Sequence, residues 1–392
     1  MDFGLSQGEQ AFRREVAEFL DRELTPDVLR EVEERGLPGP LYFRFQRKLG
    51  ARGWLGLTWP REYGGQDRSP MDRFIFIEQL ALRGVEFRNL AESIVGPTLI
   101  LYGTEEQKKE FLPRIASGEL VFCLLYSEPH AGSDLASLEI RAQDGGDHYV
   151  LNGQKLFSSE ADLADYGWIA ARTDPKAPKH RGISVLITEM SAPGITVRPL
   201  ISMAGDRRFN EVYFDNTRVS KDLLVGEENR GWYYLAVALD FERATAGAAA
   251  FVGTIQRTLR ELADCAGDTG YGVKSLARSR LIRDELAQRA VELEVMRTLS
   301  YRVLWLLGQG QVPNYQAAAI KLFGSELAQR VVQTASTILG LYGQLGPGSP
   351  QTPLEGTIAR FCLRSVSDTI RGGTSEIQRN IIAQRGLGMP TE

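Results

Sequence analysis

Three short stretches of this 392-residue chain concentrate side chains that do chemistry. The first is Tyr126-Ser127-Glu128-Pro129-His130-Ala131-Gly132-Ser133-Asp134. Proline and glycine make it a turn, and its hydroxyls and free backbone N–H groups suit a polar heteroaromatic ring or a phosphate. A plain surface turn has the same composition. The second is Asn152-Gly153-Gln154-Lys155-Leu156-Phe157-Ser158-Ser159. It reads as an Asn-Gly hairpin leading into a strand. A flat aromatic ring followed by hydroxyl donors suits one face of a flavin, although an ordinary hairpin fits the pattern too. The third is the Gly372-Gly373-Thr374 turn, which opens a polar helix at Ser375-Glu376-Ile377-Gln378 and is good architecture for holding a cofactor.

The elements that must position these stretches change character twice along the chain. Up to about Gly118 the pattern is helical. Phe12, Val16, Phe19 and Leu20 fall at helical spacing within Gln10 to Leu24, which Thr25-Pro26 ends. Met71 to Arg83 reads as a second helix, and Trp59-Pro60 through Gly64-Gly65 as a turn between the two. From about Glu119 to Gly226 the period becomes two. His148 to Leu151 runs into Asn152-Gly153, Ile183, Val185 and Ile187 alternate, and Val212 to Phe214 precedes Asp215-Asn216. Short runs punctuated this way predict an antiparallel sheet, and the lack of long helical patterns between them argues against a doubly wound nucleotide fold. From about Asn229 the helical period returns at Ile282, Leu286, Ala290, Leu293 and Met296, and again from Ala317 to Leu339, as in a bundle. The expected division is residues 1–118 helical, 119–227 sheet and 228–392 helical bundle, an α+β multidomain chain.

Composition narrows the classes. Hydrophobic residues make up 43% and charged residues 24%, ordinary for a globular protein. A net charge of −4 gives no electrostatic case for nucleic acid. No apolar run is long enough to span a bilayer, and the start, Met1-Asp2-Phe3-Gly4-Leu5, shows no secretory pattern. Cys123, Cys265 and Cys362 lie far apart, as do His130, His148 and His180. The expectation is reduced thiols in a cytoplasmic protein, with no metal site.

Taken together and in order, these stretches resemble the acyl-CoA dehydrogenase family over essentially the whole chain. Trp59-Pro60 through Gly64-Gly65 is similar to the family's N-terminal turn, and Phe209-Asn210-Glu211-Val212-Tyr213-Phe214 through Val219 to the segment that closes its sheet domain. The resemblance implies an N-terminal helical domain, a middle antiparallel β-domain and a C-terminal four-helix bundle. It also implies FAD, an acyl-CoA substrate, a tetramer and electron-transferring flavoprotein as acceptor. By position it implies that Tyr126, Ser127, Phe157, Ser158, Ser159 and Thr374 hold the flavin, and that Ser133 contacts the CoA arm. Phe157 and Ser159 stand where many relatives have tryptophan and threonine, which keeps the ring and the hydroxyl. His130 replaces a usual glycine.

The family reaction removes a weakly acidic α-proton from a thioester while hydride leaves the β-carbon. The site therefore needs a carboxylate at the α-carbon and a donor for the developing enolate oxygen. The turn that often carries the glutamate has Gly372 instead, which keeps its backbone N–H as the oxyanion donor. Glu376 reads as a solvated helix residue. The resemblance to branches such as isovaleryl- and long-chain-acyl-CoA dehydrogenases places the base at Glu242, in Leu239-Asp240-Phe241-Glu242-Arg243, with Arg243 orienting the substrate or the carboxylate. The following Ala244, Ala246, Gly247, Ala248, Ala249 and Ala250 would leave such a glutamate partly desolvated, which suits a general base. A glycine at 372 also opens space for a branched or steroid-type acyl group.

A second departure concerns the ADP half of FAD, which homotetrameric relatives hold largely through a neighbouring subunit. The nearest matches here are Asp268-Thr269-Gly270-Tyr271-Gly272 and Thr337-Ile338-Leu339-Gly340-Leu341, which lack the arginine and glutamine. A gap would shift the register and bring in Lys274 or Arg278. The chain thus resembles the base-bearing subunit of α2β2 acyl-CoA dehydrogenases of bacterial steroid side-chain breakdown, with a homotetramer as the other arrangement. Two other functions stay open at this point: a flavin-poor, non-catalytic partner subunit, and a nitroalkane or amine oxidase or monooxygenase on the same fold.

Overall fold

A computed structural model of the chain describes residues 4–36, 39–87, 89–244, 246–267 and 279–390, with the side chains of residues 238–246 and 267 outside the description. The amino-terminal part is helical, with α1 (Gln7–Glu23), α2 (Pro26–Arg35), α3 (Pro40–Ala51), α4 (Pro70–Ala81), α5 (Gly96–Tyr102) and α6 (Glu105–Ala116). Thr25-Pro26 ends the first helix as expected and also starts the second. The Thr25 hydroxyl accepts the Val28 N–H at 3.4 Å, and Pro26 sits in the first turn, where it loses no helical hydrogen bond. The expected helix at Met71 is α4, buried on nearly every side.

The middle of the chain is a sheet of β1 (Phe122–Leu125), β2 (Arg141–Asp144), β3 (His148–Lys155), β4 (Tyr166–Arg172), β5 (Ile183–Glu189), β6 (Ile195–Leu200), β7 (Phe209–Ser220) and β8 (Leu224–Val225). Its order is β6-β7-β3-β2-β4-β5-β8, with β1 on β4. Most pairings are antiparallel as expected, but β1 and β2 each run parallel to β4, so the sheet is mixed. Period-two patterning carries no strand direction, and the connection from β1 toward β4 includes the chemically rich 126–134 stretch.

Neither Asn152-Gly153 nor Asp215-Asn216 is a hairpin turn. Strand β3 runs through the first pair and β7 through the second, and the two pairs face one another across an irregular step in register between Leu151 and Gly153. Leu151 pairs with Thr217 and Gly153 with Phe214, so two residues of β7 oppose Asn152, a bulge. Asn216 takes a left-handed φ of 51°, and its N–H donates to Asn152 Oδ1 at 2.9 Å. The residue types that signal a tight turn here satisfy the bulge.

The carboxy-terminal part is helical again, with α7 (Gly231–Ala244), α8 (Ala246–Gly267), α9 (Arg280–Gly308), α10 (Asn314–Leu339), α11 (Thr357–Asp368) and α12 (Ser375–Ile381). By compactness the chain forms two units. One comprises Arg22–Ser69 and Arg88–Glu242, the other Met1–Asp21, Pro70–Phe87 and Arg243–Glu392. The sheet-bearing unit has a continuous apolar core that includes Trp59, Leu112, Phe122, Tyr149, Trp168, Ile187 and Val212. In the other unit, α8 packs on α4 at Gly253. A Cβ there would lie 2.6 Å from Ala81 Cβ and 2.7 Å from the Glu78 carbonyl oxygen. No described helix is long and apolar enough to cross a membrane.

Candidate active site

In the sheet-bearing unit the two hydroxyl-rich stretches lie side by side. Tyr126 and Ser127 follow β1, and the Leu156 N–H, just past the end of β3, donates to the Ser127 carbonyl at 2.8 Å. Glu128 and Ala131 close a tight turn by exchanging backbone hydrogen bonds of 3.0 and 3.1 Å. Beneath this turn lies Lys155, fully buried. Its amine donates to the Tyr126 carbonyl at 2.9 Å and to Glu128 Oε1 at 2.8 Å. The Glu128 carboxylate also accepts the N–H groups of Glu139 and Ile140, at 2.7 and 3.1 Å. Burial pushes the Lys155 amine down to about 8, against the opposing pull of Glu128. His130 sits within this closed turn, its ring 3.6 Å from Glu128 and 3.4 Å from Glu139.

Phe157 follows with a left-handed φ of 56°, a costly conformation for a bulky residue. Its ring is 58% exposed and rests edge-on against Phe209, with centroids 5.8 Å apart. Ser158 is clamped to Asn210 by reciprocal backbone hydrogen bonds of 3.0 Å, yet its buried hydroxyl has no hydrogen-bond partner among the described residues. Ser127 and Ser159 are half-buried, and Ser133 is exposed. A flat, polar ring system fits this arrangement, because it would cover an exposed aromatic held in a strained conformation and supply a partner for an orphaned hydroxyl.

The other unit holds the Gly372-Gly373-Thr374 turn. Gly372 and Gly373 have φ of 65° and 90°. Gln378 Nε2 donates back to both of their carbonyls, at 3.0 and 3.3 Å, and the Lys321 amine donates to that of Gly373 at 2.6 Å. Thr374 caps α12 by accepting the Ile377 N–H at 3.2 Å. None of these bonds uses the Gly372 N–H, and a Cβ at Gly372 would meet nothing within 4 Å. The positive φ gives this glycine a backbone reason as well as a chemical one. Glu376 is exposed, with its carboxyl held below the ordinary value by its own backbone N–H and the Thr374 hydroxyl.

Glu242 and Arg243 lie on α7, but their side chains are outside the described residues. So is the whole segment 268–278, with Asp268, Lys274 and Arg278. Thr337, at the glutamine position, is exposed, and its hydroxyl donates to the Gln333 carbonyl at 3.1 Å within α10. In the sequence, Lys155 and Glu128 carry no motif of their own beyond the stretches they belong to. The signal for Lys155 was present: it follows Tyr149 and Leu151 at even spacing along β3, on the buried face.

Three parts of the chain match domains described as the acyl-CoA dehydrogenase N-terminal domain (residues 6–119), middle domain (123–217) and C-terminal domain (229–387). The chain is 38% identical to acyl-CoA dehydrogenase FadE26 of Mycobacterium tuberculosis, over 97% of each chain. Among solved structures, the Tcur3481-Tcur3483 steroid ACAD is similar with a TM-score of 0.93 at 37% identity, covering 100% of both chains. The ChsE4-ChsE5 complex from Mycobacterium tuberculosis is similar with a TM-score of 0.90 at 37% identity, again covering 100% of both. The chain belongs to the acyl-CoA dehydrogenase family, oxidoreductases acting on acyl-CoA.

Proposed function

We propose that this protein carries out the FAD-dependent α,β-dehydrogenation of an acyl-CoA thioester. The hydride acceptor for the substrate β-carbon would be supplied by FAD. Glu242 takes the α-proton onto its carboxylate, and Arg243 orients that carboxylate or the substrate. The Gly372 N–H donates to the thioester carbonyl oxygen and stabilises its enolate character. Tyr126, Ser127, Phe157, Ser158, Ser159 and Thr374 would hold the flavin, and Ser133 would contact the CoA arm. The domain limits 118 and 227 separate a helical domain, a β-domain and a helical bundle.

The observation that carries this reading is the unpartnered, buried Ser158 hydroxyl beside the exposed Phe157 ring. Both belong to the stretch that the resemblance assigns to the flavin. The open space at Gly372 favours a branched or steroid-type acyl group, in keeping with a structural neighbour described as a steroid ACAD. Two neighbours are named for pairs of proteins. This supports an α2β2 assembly with a homologous second subunit over a homotetramer. Electron-transferring flavoprotein is the proposed acceptor.

The test is anaerobic mixing of the purified flavoprotein with a panel of acyl-CoA thioesters. Bleaching of the flavin by a branched or steroid-type thioester is the expected result. Bleaching by nitroalkanes or amines, with none by any thioester, would replace this reading with an oxidase.

A further inference from the structure

The unit that contains α1, α4, α8 and α9 holds a cavity of about 540 Å³. Five arginines line it: Arg13 and Arg14 from α1, Arg83 just after α4, Arg260 from α8 and Arg297 from α9. Two carboxylates, Asp21 and Glu78, are among the lining residues, and a third, Glu294 of α9, lies 3.6 Å from Arg297 Nε. Arg83 is engaged, with Nε donating to Asp21 Oδ1 at 2.7 Å. Arg297 is engaged too: Nη2 donates to Gln256 Oε1 at 3.1 Å, and Nη1 lies 3.4 Å from Glu78 Oε1. Arg13, Arg14 and Arg260 are exposed; Arg13 and Arg260 attract the Glu78 carboxyl only at longer range, with no hydrogen bond to it among the described residues. Glu78 is 4% exposed, and its Oε1 accepts no hydrogen bond. Burial holds this carboxyl above its ordinary value, which weakens it as a counter-ion for the arginines around it.

Guanidinium groups converging from four elements repel one another unless an anion joins them. Their planar forks match phosphate oxygens in pairs. The volume lies in the range of small-molecule sites and exceeds what a single phosphate fills. Among the described residues the carboxylates here are outnumbered, and Asp21, Glu78 and Glu294 each already face an engaged arginine.

We propose that this cavity binds a diphosphate group, either as free pyrophosphate or as part of a nucleoside diphosphate. Arg13, Arg14 and Arg260 are the primary ligands, and Arg83 and Arg297 form the fixed wall. The site is separate from the residues assigned above to flavin and thioester, and its existence does not depend on that assignment.

Calorimetric titration of the purified holoenzyme with pyrophosphate, ADP and inorganic phosphate, at fixed ionic strength, tests it. Saturable binding of a diphosphate is expected, with phosphate weaker by about tenfold or more. The Arg13→Gln/Arg260→Gln variant should weaken diphosphate binding by about tenfold or more, as charge-assisted hydrogen bonds are lost. Variant-sensitive binding of ADP that is tighter than that of pyrophosphate marks a nucleotide as the ligand; comparable or weaker ADP binding marks the free anion. The exposed single substitution Arg14→Gln gives the same direction if the double variant loses its thermal melting transition. Absence of saturable diphosphate binding, phosphate binding as tight as pyrophosphate, or an affinity unchanged in the variants overturns the proposal.

Discussion

Lys155 and Glu128 carry the largest electrostatic stake of any described pair beneath the 126–131 turn. Both are buried, and between them they hold the Tyr126 carbonyl and the Glu139 and Ile140 N–H groups. Lys155→Met would leave the Glu128 carboxylate buried without its cation. Such a loss costs about 3–5 kcal/mol, read as a fall in the urea unfolding midpoint. The same lysine sets a pH signature. Its amine is pushed down to about 8 in the fold, against an ordinary value of 10.5. Between those values the unfolded chain binds the extra proton, so this group's contribution to stability rises with pH across the window and is flat below it. The stability gap between wild type and Lys155→Met should therefore widen from pH 8 to pH 10, and a constant gap would contradict the assignment. At the other stretch, Gly372→Ala meets open space and carries only the cost of a positive φ, about 1 kcal/mol. Gly373→Ala carries that cost as well and brings its Cβ to 2.5 Å from Gln378 Nε2, so it should lower the melting temperature further.

At the scale of elements, the helices were legible because their apolar residues recur at three and four, and the strands because theirs recur at two. What the pattern could not show was which asparagine pairs turn the chain. Asn152-Gly153 and Asp215-Asn216 both carry turn chemistry, yet each lies inside a long strand and supplies one side of a bulge. Their left-handed and glycine-like backbones serve the kink in place of a reversal. The parallel pairings of β1 and β2 with β4 were equally invisible, since side-chain alternation is the same in either direction. The close approach of α8 to α4 was legible only as a run of small residues before Gly253. A valine at Gly253 should destabilise the protein by about 3 kcal/mol, because Ala81 and the Glu78 backbone leave its Cβ no room. Thr374→Ala removes the hydroxyl that caps α12 and should cost about 1 kcal/mol in the same assay.

For the whole molecule, the resemblance read from a few motifs extended to a family match along nearly the entire chain. Helix α9 leaves Val291, Val295 and Trp305 exposed. Purification with and without a homologous second subunit should give full flavin content only for the pair; one flavin per chain and full activity in the chain alone would instead support a homotetramer. We propose that the missing carboxylate of the Gly372 turn has been relocated to Glu242. The most direct test of this relocation is the anaerobic reaction of the assembled flavoprotein carrying Glu242→Gln with its best acyl-CoA. Retained flavin and a bleaching rate lowered by about a hundredfold to ten-thousandfold, the range of a lost general base, are expected. Bleaching at the wild-type rate with flavin retained would contradict the relocation.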